Sequence, residues 1–277
     1  MTNMIHLVDG EKGGVGKSML TRILVEFNQK YELLYTLIDG DFQNPDVQQR
    51  YPEHNAKIVA LVEDEEKFFD IDIIFETAVE TPVIVNLPAR VYGIINKWID
   101  EANLTSPDFK EQSGVDVCKW FICGGTTDSI EMFIDSFNYF EGQLNHIFVR
   151  NFGVCKDWSH VQNHKEMNKL INNYRIPVVD LPALSARERK FIDTKRLSFS
   201  QAMKHSEFFL ISQQRLHTFL EDCFRLIEDV GLFNNAPNRN KKEVIAPYER
   251  KKMRKYHQRI NHKFRNRWST LLDGQNM

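Results

Sequence analysis

Residues 9–19, Asp9-Gly10-Glu11-Lys12-Gly13-Gly14-Val15-Gly16-Lys17-Ser18-Met19, decide how this chain folds. They follow a short apolar run, Met4–Val8, that reads as a buried strand. They precede Lys17–Lys30, where Leu20, Ile23, Leu24 and Phe27 fall on one helical face. A glycine-rich turn between a strand and a helix is the setting of a phosphate-binding loop. Glycines allow backbone N–H groups to converge on phosphate oxygens, and the helix N-terminus adds partial positive charge. In that reading Lys17 reaches the β- and γ-phosphates of a nucleotide and the Ser18 hydroxyl ligates Mg²⁺. The spacing departs from Gly-x-x-x-x-Gly-Lys-Ser. The first glycine belongs at position 11, where the chain has Glu11, and Gly10 stands one residue early. Gly13-Gly14 supplies the backbone freedom instead.

Outward from this loop, short apolar runs alternate with helical patterns. Strands are expected at Leu33–Ile38, Lys57–Val62, Pro82–Val85, Val115–Cys123, His146–Val149 and Pro177–Asp180. Helices are expected near Val91–Ala102, Ser129–Phe140, Val161–Tyr174 and Phe208–Val230. That order predicts an α/β fold with a mainly parallel sheet covered on both faces.

The loop Lys12-Gly13-Gly14-Val15-Gly16-Lys17-Ser18 resembles the deviant Walker A loop of the ParA/MinD-type P-loop ATPases, marked by the extra lysine, here Lys12. The resemblance extends to Asp39-Gly40-Asp41-Phe42-Gln43, similar to an Asp-x-Asp-Pro-Gln strand end with Phe42 in place of proline. It extends also to Val83-Ile84-Val85-Asn86-Leu87-Pro88, similar to a Walker B strand with Asn86 where aspartate is usual. It implies a three-layer P-loop fold, ATP and Mg²⁺ as cofactors, and a homodimer that closes on ATP. In that dimer Lys12 reaches the partner's nucleotide. It also implies catalytic roles for Lys12, Lys17 and Asp41, the last positioning the attacking water. Asp39 and Ser18 would lie at the metal, with Asn86 behind them. Gly13 through Met19 would cradle the phosphates. Asn151, after the strand ending Phe148-Val149-Arg150, and Pro182, in Leu181-Pro182-Ala183-Leu184, would lie on the base side. An asparagine supplies no charge, so Asn86 leaves two activities open: a weak, partner-dependent ATPase, and a nucleotide-gated scaffold with little hydrolysis. A metabolic P-loop kinase or ligase is a third alternative.

The later segments Ile176-Pro177…Leu181-Pro182-Ala183-Leu184, Arg196–Ala202 and Gln214-Arg215-Leu216 are similar to ParA-like proteins of conjugal transfer and plasmid mobilisation, the TraL and MobD kind. That resemblance implies DNA, or a DNA-transfer or partition protein, as partner.

Charge is distributed unevenly. Residues 238–277 carry 12 Lys+Arg and three acids, a net +9, in a chain whose total is −2; the rest is therefore −11. Met253, Tyr256, Ile260, Phe264 and Trp268 recur at helical spacing among the basic residues. The expected organisation is a nucleotide-binding domain over 1–230, a turn-rich linker over 231–240 and a basic amphipathic helical tail over 241–277. Such a tail fits DNA phosphates, an anionic membrane, or docking on a protein surface. The first residues carry no basic segment or long apolar run. The four cysteines, Cys118, Cys123, Cys155 and Cys223, form no CxxC pair. A reduced, cytoplasmic protein is expected, with nucleoid and membrane association both open. His160 and His164 are spaced for zinc on one helix, but an exposed pair fits them better.

Overall fold

The computed structural model describes residues 2–10, 12–54, 56–62 and 68–233. The expected tail, and the linker from residue 234, lie outside the described residues.

Seven strands form one sheet: β1 Asn3–Asp9, β2 Thr36–Asp39, β3 Lys57–Ile58, β4 Val83–Asn86, β5 Val115–Cys123, β6 Asn145–Asn151 and β7 Val178–Leu181. Their order is β3-β2-β4-β1-β5-β6-β7, and each neighbouring pair is parallel. The strands are apolar because parallel strands are buried on both faces. Alternation along them sorts side chains into two layers. Val8, Leu37, Ile84, Trp120, Ile122 and Val149 face one way, and Ile5, Leu7, Ile38, Val85, Phe121 and Phe148 the other.

Five helices supply apolar residues to the first layer: α1 Lys17–Lys30, α2 Asp46–Arg50, α9 Ala186–Thr194, α10 Phe199–Lys204 and α11 Leu210–Val230. The second layer is covered by α3 Asp72–Glu80, α4 Tyr92–Glu101, α5 Pro107–Ser113, α6 Thr127–Tyr139, α7 Ser159–Gln162 and α8 Lys165–Tyr174. The result is the expected three-layer α/β fold with a parallel sheet.

Three local readings change. The helix expected over Val161–Tyr174 is two helices, because the His164 ring accepts the Met167 N–H and starts α8 anew. His160 instead meets the Gly125 carbonyl at 2.8 Å, so the two histidines do not share one helix face. The strand expected over Lys57–Val62 is two residues long, at the sheet edge. Helices α2, α3, α5, α9 and α10 join the expected set; α9, mostly polar, buries Ile192 in the core and packs Phe191 against it.

Because the sheet is parallel, β1, β2, β4, β5, β6 and β7 all end on one edge. Ligands in open α/β sheets bind beyond such carboxyl ends, where the strand order reverses. Here the reversal lies at β1, which sits between β4 and β5.

Candidate functional site

The loop after β1 enters α1 through glycines that the backbone requires. Gly14 has φ +78° and Gly16 φ +112°, both in the left-handed region. A side chain at Gly16 would also collide with the Asn151 amide. By contrast, a Cβ at Gly13 or Gly14 would meet nothing within 4 Å. The outer rim of the loop is therefore open, while its base is packed. Helix α1 begins with no side-chain cap and no acid in its first turn, so its N-terminal end meets no negative charge of its own helix. An anion fits these features, and a nucleotide phosphate is the anion the loop geometry suits.

Lys17 is buried at the base of the loop. Its Nζ donates to Gly10 O at 2.6 Å and to Lys12 O at 3.0 Å. Val15 is buried in the core, Ser18 and Met19 are half-buried at the helix start, and Met19 packs on the first apolar layer. Lys12 leaves the loop in another direction and meets Asp128 Oδ2, in the first turn of α6, at 2.6 Å. The Lys12 hydrogen bond, then its charge, hold the Asp128 carboxyl below its usual range.

The β2 and β4 ends form a second cluster. Asp39 is fully buried, and each of its oxygens accepts two hydrogen bonds. Oδ1 accepts from Asn86 Nδ2 at 2.9 Å and Asp41 N at 3.3 Å. Oδ2 accepts from Val47 N at 3.1 Å and Gln48 N at 3.0 Å, the start of α2. Burial raises the Asp39 pKa, and the Asn86, Gln48 and Asp41 hydrogen bonds oppose that rise. Asn86 is buried too, and its Oδ1 lies 3.2 Å from the Thr21 hydroxyl on α1. The amide thus donates to a carboxylate and offers its oxygen to a hydroxyl whose one proton also has Lys17 O in reach at 3.1 Å. An aspartate at 86 would place a second carboxylate against Asp39. Asp41 is half-buried, and its Oδ1 accepts the Asn44 N–H at 3.2 Å.

On the other side, Asn151 Nδ2 donates to Val15 O in the phosphate loop at 2.7 Å, and its Oδ1 accepts from Gly153 N at 2.9 Å. Both ends of this amide are engaged in joining the β6 end to the loop. Pro182 follows β7 and is half-buried; Phe152 N bonds Leu181 O at 3.0 Å, which brings the β6 and β7 loops together. The fold therefore joins Asn151 to the loop that carries Lys12 and Gly13–Met19, sets Pro182 just after β7 beside the β6 end, and clusters Asp39, Asp41 and Asn86 at the β2 and β4 ends.

Among curated proteins the chain is similar to a MobD protein over most of both sequences. The chain is 26% identical over 206 residues to the protein MobD of Acidithiobacillus ferrooxidans, a span of 74% of this chain and 88% of that one. No protein-family model matches the chain. Similar solved structures include a nucleotide-binding protein from Archaeoglobus fulgidus in complex with ADP, 14% identical, covering 71% of this chain and 88% of that chain with TM-score 0.46. The MinD cell division protein of Aquifex aeolicus is 14% identical, covering 81% and 97%, also with TM-score 0.46. A plasmid partition protein from Borrelia burgdorferi is 14% identical, covering 80% and 99%, with TM-score 0.41.

The chain resembles the ParA/MinD-type P-loop ATPases. Against that pattern, the departure at Asn86 acquires a local explanation, while Phe42 is exposed in the turn after Asp41 and nothing in the structure explains it. Asn86 is the neutral partner that a buried Asp39 needs. The remaining polar residues of the edge were not legible from motifs. Asp9 and Lys119 form a buried ion pair at 3.3 Å, directly behind the loop. One signal for them existed: Lys119 shares a pleat face with Val117 and Phe121 in a strand buried on both sides, so it had to find a buried partner.

Among the described residues, no cluster of three His, Cys, Asp or Glu side chains could hold a metal, and no helix is long and apolar enough to cross a membrane. Cys123 is buried, which raises its thiol pKa, and Cys155 donates to the Asp157 carbonyl at 3.1 Å.

Proposed function

We propose that the chain is an ATP-binding switch of the ParA/MinD type that acts in plasmid partition, mobilisation or conjugal DNA transfer. The observation that carries the reading is the loop from Gly10 to Ser18: open above Gly13 and Gly14, uncapped at α1, with Lys17 at its base. The likeness to MobD supports the mobilisation setting.

Mg·ATP supplies the phosphoryl group and the charge that neutralises it. Gly13 through Ser18 hold the phosphates by backbone N–H groups. Lys17 leaves the Gly10 and Lys12 carbonyls for phosphate oxygens, and Ser18 takes the metal. Asp39 has all its lone pairs engaged, so its part is to fix α2 and the Asp41 turn rather than to ligate. Asp41 orients the attacking water. Asn151 and Pro182 border the base. Lys12 exchanges Asp128 for the nucleotide of a second copy, which closes the homodimer. A DNA-transfer or partition partner, or DNA on the basic tail, sets the rate; an anionic membrane is the other surface the tail's charge fits.

The second reading is a nucleotide-gated scaffold with little turnover. The Asp39–Asn86 cluster favours it, since both side chains are committed within the chain. The test is phosphate release from ATP by the full chain beside Lys17→Ala, with and without duplex DNA. Turnover that needs Lys17 and rises with DNA supports the switch ATPase. Binding of ATP without phosphate release supports the scaffold. A chain that binds no ATP refutes both.

A further inference from the structure

Lys119 is completely buried in the middle of β5. A buried ammonium is costly unless every proton finds an acceptor. Its Nζ lies 3.3 Å from Asp9 Oδ2, 3.2 Å from Ser136 Oγ on α6 and 3.5 Å from Asn96 Oδ1 on α4. The set is directional. His146 Nδ1 meets the Leu144 carbonyl at 3.0 Å, which requires its proton there, so Nε2 accepts from the Ser136 hydroxyl at 3.2 Å. Ser136 Oγ is thereby left to accept from Lys119. Burial and the Lys119 charge pull the His146 pKa down to about 3, which keeps the ring neutral for that role.

The other end of this network reaches the phosphate loop. Asp9 Oδ1 accepts the Gly10 N–H at 2.7 Å. Gly10 is pinned on its second side, because a Cβ there would lie 2.6 Å from Ile122 O and 2.8 Å from the Val15 side chain. With its N–H and Cα both fixed, the Gly10 carbonyl is aimed at Lys17 Nζ, 2.6 Å away. Three contacts in series thus run from Lys119 through Asp9 and Gly10 to Lys17.

We propose that Asp9 is a positioning residue for the phosphate loop and that Lys119 is its buried counter-ion. The proposal rests on the reading of the loop as a nucleotide site. Lys119 offsets the Asp9 charge in the interior, and the Asp9 oxygen on the Gly10 N–H locks the first peptide of the loop and sets where Lys17 starts before it engages phosphate. Neither side chain touches the ligand. The pair accounts for a charge buried in the sheet that no packing need explains, since an apolar side chain would fill the same space more cheaply.

Two double variants of the full chain test it at equal charge. Asp9→Asn with Lys119→Met removes both charges and keeps an oxygen on the Gly10 N–H. Asp9→Ala with Lys119→Met removes the charges and the oxygen together. Amide hydrogen exchange is followed on peptides covering 8–17, with the exchange of α3 and β7 as the measure of global stability. The proposal expects at least tenfold faster exchange in 8–17 for the alanine pair alone, with α3 and β7 matched between the two variants. Equal exchange of 8–17 in both variants overturns it. This readout needs no nucleotide, so it decides the proposal even if the wild-type chain fails to bind ATP, which would instead overturn the nucleotide reading. Binding of a fluorescent ATP analogue is then expected to fall about tenfold in the alanine pair and to be restored by the asparagine pair. Similar loss in both pairs would overturn the positioning role.

Discussion

Two neighbouring parts of one sheet edge differ in how their polar groups are used. Beyond β1 the loop keeps its backbone exposed: Gly13 and Gly14 have open space above them and α1 has no cap of its own. Beyond β2 and β4 the polar groups are closed on each other: Asp39, Asn86, Thr21 and the start of α2 satisfy one another in the interior. The open backbone array meets an anion as it stands, and only Lys17 has to exchange the Gly10 and Lys12 carbonyls for it. A satisfied carboxylate must surrender bonds before it can act on a metal or water. The difference separates binding from turnover: the first edge is ready, and the second has to be opened.

The largest expected effect tests the closed side. Asn86→Asp sets two carboxylates together in the interior and is expected to lower stability by about 3 kcal/mol at pH 7, read by denaturant unfolding. The loss should shrink on acidification as the two groups share a proton. A variant as stable as wild type would show that the cluster is not closed.

Acidification tests the ground beneath the open side. His6 on β1 and His146 on β6 are both buried, and burial first of all lowers each pKa to about 3. Unfolded histidine protonates near 6.5, so between those values the unfolded chain binds more protons. Stability is full above pH 6.5 and lost as pH falls toward 3, by roughly 2 kcal/mol per histidine at pH 5. His6→Phe, which keeps the ring stacked on Phe233, should remove its share of that slope. An unchanged slope would contradict the assignment.

Asp39→Asn is a smaller change. The amide keeps one acceptor but cannot receive all four N–H groups, and loosening of α2 should cost about 1–3 kcal/mol. Hydrogen exchange over 46–50 should rise more than exchange over 8–17; a parallel rise would merge the two regions. The smallest effect is expected at the Lys12–Asp128 pair, which is solvent-exposed. Asp128→Asn should leave the thermal midpoint unchanged, as exposed ion pairs contribute little. A clear drop would place Lys12 among the structural residues of the fold.

How much of this was legible in the sequence follows the same division. The bounds of α1 and β5 were readable, because an apolar helix face and a nine-residue buried strand leave strong periodic signals. The turn between β1 and α1 was readable because glycines cluster where a strand turns tightly into a helix, as the left-handed Gly14 and Gly16 do. Helix α9 was not, since it is mostly polar and holds to the core only through the adjacent Phe191 and Ile192, too few for a periodic signal. Nor was the break at His164, where a side chain competes with the backbone for the Met167 N–H. Asp39 was legible as a polar strand end, but not as the residue that caps α2, because its partners Val47 and Gln48 donate from the backbone. Lys119 and Asp9 are 110 residues apart, and only the pairing of β1 with β5 brings them together.

The open loop is expected to bind ATP through Lys17 whether or not the closed cluster permits turnover. The measurement is an equilibrium titration of the full chain with a fluorescent ATP analogue and Mg²⁺, wild type beside Lys17→Ala. Saturable binding is expected for the wild type, with a loss of about 100-fold in affinity for Lys17→Ala, the scale of one lost charged hydrogen bond to phosphate. Equal affinity in the two proteins, each shown to be folded, would contradict it.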